Sequence, residues 1–213
     1  MQLVLDNFPF LLEGAYYTLF ITIVSMFFGI ILGLLIAIAR LKGNRFIRSI
    51  ARIYVSIMRG TPTLVQIFIV YYGLVDYGIE LGPITAACLA LSLNIAAYVS
   101  ETFRGAILAV PKGQVEAALA TGMTERQAMI RIVVPQAFRY AIPPLGNTCI
   151  GMLKETSLVS TIAVTELLRS SQLLIAQYYQ YMPFYLAIAL MYWVMSTGFS
   201  MILNRIEKRL SVY

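Results

Sequence analysis

The chain has 213 residues, of which 60% are hydrophobic and 12% charged, and its mean hydropathy is +0.79. A soluble domain is charged at about a quarter of its positions, so this composition belongs to an integral membrane protein with room for about five crossings and none for a separate soluble domain. The absence of histidine excludes a Ser-His-Asp triad, an HExxH zinc site and a histidine general base, and the net charge of +6 is clustered in a way that bears on topology rather than on a nucleic-acid partner.

Residues 1–14 are expected to form a short helix at the outer interface. With Asp6, Glu13 and no basic start, they do not read as a cleaved leader. Positions 15–39 contain 25 residues without a charge. At about 1.5 Å per residue a helix of that length crosses a hydrocarbon core of about 30 Å with some tilt. Gly29 and Gly33 within it have the spacing that lets a second helix approach closely. The basic segment 40–52, with Arg40, Lys42, Arg45, Arg48 and Arg52, reads as the first cytoplasmic loop. A second span is expected over about 53–74. It is interrupted near its start by Arg59-Gly60-Thr61-Pro62, where Pro62 removes a backbone hydrogen bond and predicts a kink.

Asp76 and Glu80 fall in a short outer loop, and a third span follows over 83–108. Residues 111–137 are a polar cytoplasmic loop opened by Pro111. The fourth span, 138–155, carries Pro143, Pro144, Gly146 and Asn147, which predict a bend. Residues 166–180 read as an amphipathic helix at the outer interface, and 182–204, with Trp193 inside, as the fifth span. The three basic clusters are those in 40–52, those around 111–137 (Lys112, Arg126, Arg131, Arg139), and Arg205, Lys208 and Arg209. All three fall on one side if the chain crosses five times, which places the N-terminus outside and the C-terminus in the cytoplasm. Cys88 and Cys149 lie far apart in apolar runs and read as small buried hydrophobes, with no metal site.

Within the polar loop the stretch EAALATGMTERQAMIRIVVP, residues 116–135, has its own organisation. Two short helical pieces are expected to meet at Gly122, which permits a left-handed turn. Glu116 is placed in a first helical turn, where a carboxylate complements the helix dipole. Ala117 and Ala118 present a small face to a docking partner, and Pro135 stops or kinks the second piece. The pattern Glu116-Ala117-Ala118, three residues, Gly122, nine residues, Ile132, two residues, Pro135 resembles the EAA loop of ABC importer permeases; only the usual Leu before the proline differs, being Val134. The runs RGTPTLVQIFIVYYGL, LNIAAYVSETFRGAI and the Lys154-Glu155-Thr156-Ser157-Leu158 block resemble the polar amino-acid subfamily of those permeases.

The resemblance covers nearly the whole chain. It implies an all-α membrane protein with the five-helix type I importer fold, in the bacterial inner membrane, acting as the permease subunit of an amino-acid importer. The EAA-like loop would be the coupling helix that docks on a separate ABC ATPase subunit, which binds ATP and Mg; this chain has no GxxxxGK[ST] motif, is not itself an enzyme and needs no cofactor. Further implied partners are a periplasmic or lipid-anchored binding protein, a second permease chain forming a homodimer or heterodimer, and membrane lipid. The overall look leans towards the cystine-type branch, with glutamine and basic amino acids open.

A substrate site is expected among polar groups that are costly at membrane depth. Glu101 and Glu155 are the two carboxylates in or beside the spans. Glu101 stands three residues before Arg104, which favours a structural ion pair over a ligand role. Glu155 could accept an amino acid's ammonium, while Asn94, Thr156, Ser157 and backbone amides near a helix break could donate to its carboxylate; pairing of Glu155 with Lys154 or a neighbouring helix stands beside that reading. An ion-coupled carrier without an ATPase is the alternative. It would leave the EAA-like loop unexplained.

Overall fold

A computed structural model describes residues 2–210, and among them every regular element is helical. In chain order these are α1 (Gln2–Asp6), α2 (Phe8–Lys42), α3 (Arg45–Gly60), α4 (Thr63–Tyr71), α5 (Pro83–Leu108), α6 (Lys112–Ala120), α7 (Glu125–Ala128), α8 (Val134–Glu155), α9 (Leu167–Tyr178) and α10 (Tyr181–Leu210), with 3-10 turns at Gly73–Tyr77 and Thr156–Ile162. Three helices are long and apolar enough to cross a membrane, and two bent pairs raise the number to as many as five.

The bundle is built on α2 and α5, which lie against each other along most of their length. Gly29 and Gly33 explain the closeness. A Cβ at Gly29 would collide with the Ile95 side chain, and one at Gly33 with Val99. Alanines on the facing helix (Ala86, Ala87, Ala90, Ala96, Ala97) complete a thin interface that holds Leu91, Ile95 and Val99 fully or almost fully buried. α4 and α8 close this core with Ile67 and Met152. A second cluster joins α2, α9 and α10 through Leu11, Leu167, Leu174 and Phe184. The outward face of α10 stays apolar and uncovered, with Leu186, Leu190, Trp193 and Val194 all more than half exposed, as a lipid-facing surface requires.

Several local expectations are corrected. The interfacial helix expected over 1–14 is only α1; from Phe8 the chain already belongs to the 35-residue α2. Positions 40–52 are not a loop. Asn44 accepts a hydrogen bond from Ile47 N–H and caps α3, so the connection shrinks to Gly43 and Asn44. The apolar side chains of α3 then recur at helical spacing, opposite a stripe of Arg45, Arg48 and Arg52. The second expected span, 53–74, is therefore two helices, α3 and the α4 unit, meeting at 107° across Thr61-Pro62. The fourth element does not break at its prolines: α8 runs through Pro143 and Pro144, and the 48° bend falls after Ile162. The helix expected at the outer interface over 166–180 is α9, and its Leu167, Ser170, Ser171, Leu174 and Ile175 are buried against neighbours.

Candidate functional site

The polar segment after α5 folds into an elbow. Pro111 precedes α6, and the helix ends where Thr121 N–H donates to Ala117 O, Gly122 N–H to Leu119 O and Met123 N–H to Ala118 O. Gly122 has φ +86°. A Cβ there would meet nothing within 4 Å, so backbone conformation, not space, calls for glycine. Thr124 then starts the second piece with a capping box: its hydroxyl accepts from Gln127 N–H at 3.3 Å and the Gln127 side chain accepts from Thr124 N–H at 2.9 Å.

The expected roles within the elbow shift by one turn. Glu116 is the fifth residue of α6, not part of its first turn. It is exposed with Ala117, whereas Ala118 is turned inward and buried. The outward face is thus Glu116, Ala117, Leu119 and Ala120. Pro135 does not end the second piece. A π turn at Met129–Val133 absorbs the bond that the proline cannot make, and the chain continues directly into α8. Ile132 is half-buried and Pro135 exposed. The elbow is not a free loop: Val115 and Met129 pack on a cluster of Ala106, Val110, Val133, Ala137 and Ala141 that spans the end of α5 and the start of α8. The elbow is therefore packed against both helices.

Beside this region Glu101, on α5, gathers three arginines from three elements. Arg40 of α2 lies 2.5 Å away, Arg104 of α5 2.7 Å, and Arg59 of α3 3.8 Å. Arg59 also lies over the Tyr98 ring, 5.4 Å from its centre.

A second polar knot sits where α3 breaks into α4. Gln66 Nε2 donates to Met58 O, Thr61 O and Thr61 Oγ1, capturing carbonyls that the break at Pro62 releases. Asn94 Nδ2 donates to Gln66 Oε1 at 2.9 Å and to Met58 O at 3.4 Å. Both partners are acceptors, which fixes the amide orientation. Asn94 is 1% exposed, and its Oδ1 is enclosed with nothing bonded to it. The donors expected to serve a ligand carboxylate are therefore spent within the protein, and the remaining acceptor is enclosed.

Glu155 ends α8 where the helix tightens into the 3-10 turn. Its side chain is exposed, and among the described residues it has neither an ion pair nor a hydrogen bond. Lys154 therefore does not neutralise it. Thr156 is buried and donates to Leu153 O; Ser157 donates to Lys154 O at 2.7 Å. Both hydroxyl donors are thus used on backbone carbonyls of their own turn.

Glu166 is the polar residue that sequence reasoning passed over as the mere start of an interfacial helix. It is 0% exposed. Its carboxylate accepts from Leu168 N–H and Arg169 N–H at the start of α9 and from the Tyr192 hydroxyl on α10, while Thr18 of α2 accepts from Leu167 N–H. One carboxylate thus ties α9 to α10 next to its contact with α2. The available signal was an acidic residue placed two and three positions before unpaired helix-start amides.

The family described as "Binding-protein-dependent transport system inner membrane component" matches residues 29–212. The L-cystine transport system permease protein TcyB of Bacillus subtilis (strain 168) is 45% identical over 206 residues, 96% of this chain and 88% of that protein. The glutamine transport system permease protein GlnP of Escherichia coli (strain K12) is 35% identical over 206 residues, 96% of this chain and 94% of that protein. Among solved structures, the crystal structure of an amino acid ABC transporter with histidines superposes with a TM-score of 0.94 at 37% identity, covering 97% of this chain and 96% of that one.

Proposed function

The chain belongs to the family of binding-protein-dependent transport system inner membrane components, and from that premise we propose that it is the permease subunit of an ATP-driven importer that carries a polar amino acid, cystine or a close relative, into the bacterial cell. The two relatives named above are an L-cystine and a glutamine transport system permease protein, and of these the cystine one shares more of its sequence with this chain. The chain crosses the membrane five times, with the N-terminus outside and the C-terminus in the cytoplasm. It pairs with a second permease chain, receives substrate from a binding protein outside, and holds an ATPase subunit against its elbow. Closing of the ATPase pair favours the outward-open state of the permease, and its reopening favours the inward-open one.

The observation that carries this reading is the elbow itself. A left-handed Gly122 joins two short helices, one face is exposed at Glu116, Ala117 and Leu119, and the other is packed on the ends of α5 and α8. That arrangement lets a push from a soluble partner reach two long helices at once.

For the substrate, Glu155 supplies the charge that faces the ammonium group, with the half-buried Ser157 hydroxyl beside it in the chain; Thr156, being buried, shapes the turn. Glu101, whose charge three arginines already balance, is left to hold α2, α3 and α5 together.

The test is uptake of labelled cystine, glutamine and arginine by proteoliposomes containing the chain, with and without its ATPase and binding protein. Uptake is expected only with ATP and all components, and highest for cystine. Uptake that persists without the ATPase would instead support an ion-coupled carrier. Gly122→Asp, which puts a side chain at φ +86°, is expected to leave insertion intact and to lower ATP-coupled uptake by at least about tenfold, because a strained turn costs about 1–2 kcal/mol and misdirects the docking face. Retained ATPase association with normal coupled uptake in that variant would remove the elbow from the mechanism.

A further inference from the structure

The end of the bundle opposite the elbow holds a pocket of about 400 Å³, where the early part of α2 and the start of α5 meet the turn between the 3-10 helix Thr156–Ile162 and α9. It is lined by Glu13 and Tyr17 of α2, Pro83 and Ile84 of α5, and Val164 and Thr165 of the turn. Glu13 and Tyr17 are four residues apart and so lie on one face of α2. Among the described residues the Glu13 carboxylate and the Tyr17 and Thr165 hydroxyls take part in no hydrogen bond or ion pair. Comparable groups nearby are occupied. Glu166 accepts from two amides and a tyrosine hydroxyl, and the hydroxyls of Thr18, Thr22, Thr156 and Thr161 donate to carbonyls of their own turn.

The pocket wall is also polarised. α2 brings a full negative charge at Glu13. The start of α5 has no side-chain cap, because Gly82 precedes Pro83, so the partial positive charge of a helix start is left at the wall beside Ile84. Pro83, the Ile84 side chain and Val164 make the rest of the surface apolar. The volume falls within the range of about 300–1,000 Å³ found for small-molecule sites. A carboxylate facing hydroxyl donors and a helix start complements a small molecule that carries an ammonium and a carboxylate together. We propose that this pocket binds a free α-amino acid as its zwitterion, with the ammonium on Glu13 and the carboxylate on the Tyr17 and Thr165 hydroxyls at the start of α5. The apolar remainder leaves nothing to select the side chain, so the site reads the groups that all α-amino acids share. The inference rests on the proposed function, under which this end of the bundle faces outside. The 3-10 helix Thr156–Ile162 joins the pocket to Glu155, over about 14 Å at about 2.0 Å per residue. An amino acid arriving from outside therefore meets Glu13 first and Glu155 second.

The test is saturation-transfer NMR on the full chain in lipid nanodiscs, with no ATPase and no binding protein present. The chain carries Glu155→Gln, so that the end of α8 does not contribute, and glutamine is titrated. Saturable binding is expected. Glu13→Gln should weaken it at least about tenfold and Tyr17→Phe about threefold, whereas Glu13→Asp, which keeps the charge, should lose less than Glu13→Gln. N-acetylglutamine, which lacks the ammonium, and 4-aminobutanamide, which lacks the carboxylate, should each bind at least about tenfold more weakly than glutamine. Leucine should bind within about threefold of glutamine, because the side chain is not read. No binding of glutamine, binding indifferent to Glu13→Gln, or either truncated analogue binding as well as glutamine would overturn the inference. An assembled transporter that takes up amino acid while the chain alone fails this assay would sink the pocket and leave the proposed function standing. Binding here together with uptake that needs no ATPase would do the reverse.

Discussion

Glu101 and Glu155 are chemically alike and sit in or at the end of long helices, yet their surroundings are opposite. Glu101 is held by guanidinium groups from α2, α3 and α5, with 20% of its side chain exposed. Glu155 has no partner among the described residues and is exposed at the point where α8 changes to a 3-10 turn. A carboxylate balanced by three cations stabilises the arrangement of the helices that bring the cations. A carboxylate without one adds little to folding. The α2–α3–α5 corner is fixed by internal pairing, and the end of α8 is not; under the proposed function the unpaired carboxylate is the one placed for substrate.

The largest effect is expected at the closed corner. Glu101→Gln leaves Arg40, whose side chain is 14% exposed, without its counter-charge. Removing one partner of a buried pair costs about 3 kcal/mol, which at this chain length lowers Tm by about 6–12 °C; thermal unfolding in detergent measures it. Arg40→Gln tests the same knot from the other side. Arg104 and Arg59 remain on Glu101, so the loss is expected to be about 1 kcal/mol, and the two substitutions together should cost less than their sum. The smallest effect on stability is expected at the open end: Glu155→Gln should shift folding by less than about 0.5 kcal/mol while reducing coupled uptake at least about tenfold, or about 1.4 kcal/mol in substrate affinity. If Glu155→Gln unfolds the protein as readily as Glu101→Gln and leaves uptake kinetics unchanged, the two carboxylates are both structural and the contrast fails.

Several features were legible from residue order. Pro83 and the uncharged run behind it locate α5 to the residue, and Gly29 and Gly33 announce the tight contact of α2 with α5. Gly122 carries the left-handed turn of the elbow. These are local properties: a proline lacks a donor, a glycine lacks a Cβ, and each constrains its own few residues. What misled the sequence reading was charge. Arginines in 40–52 suggested a loop, but three of them line one stripe of α3, and a helix tolerates them there because they need only one face. Pro143 and Pro144 suggested a bend, but α8 runs through them.

Residue order by itself determined the class of molecule, the long apolar helices, the glycine hinge and the presence of two carboxylates worth testing, because hydropathy, backbone freedom and charge are properties each residue carries with it. Only the tertiary structure decided which carboxylate is neutralised, that Ala118 faces inward while Ala117 faces out, that Asn94 has an acceptor and not a donor to spare, and that Glu166 joins α9 to α10. Those outcomes depend on partners up to 61 positions away, as Arg40 is from Glu101, and a pairing of that reach exists only once the helices have packed.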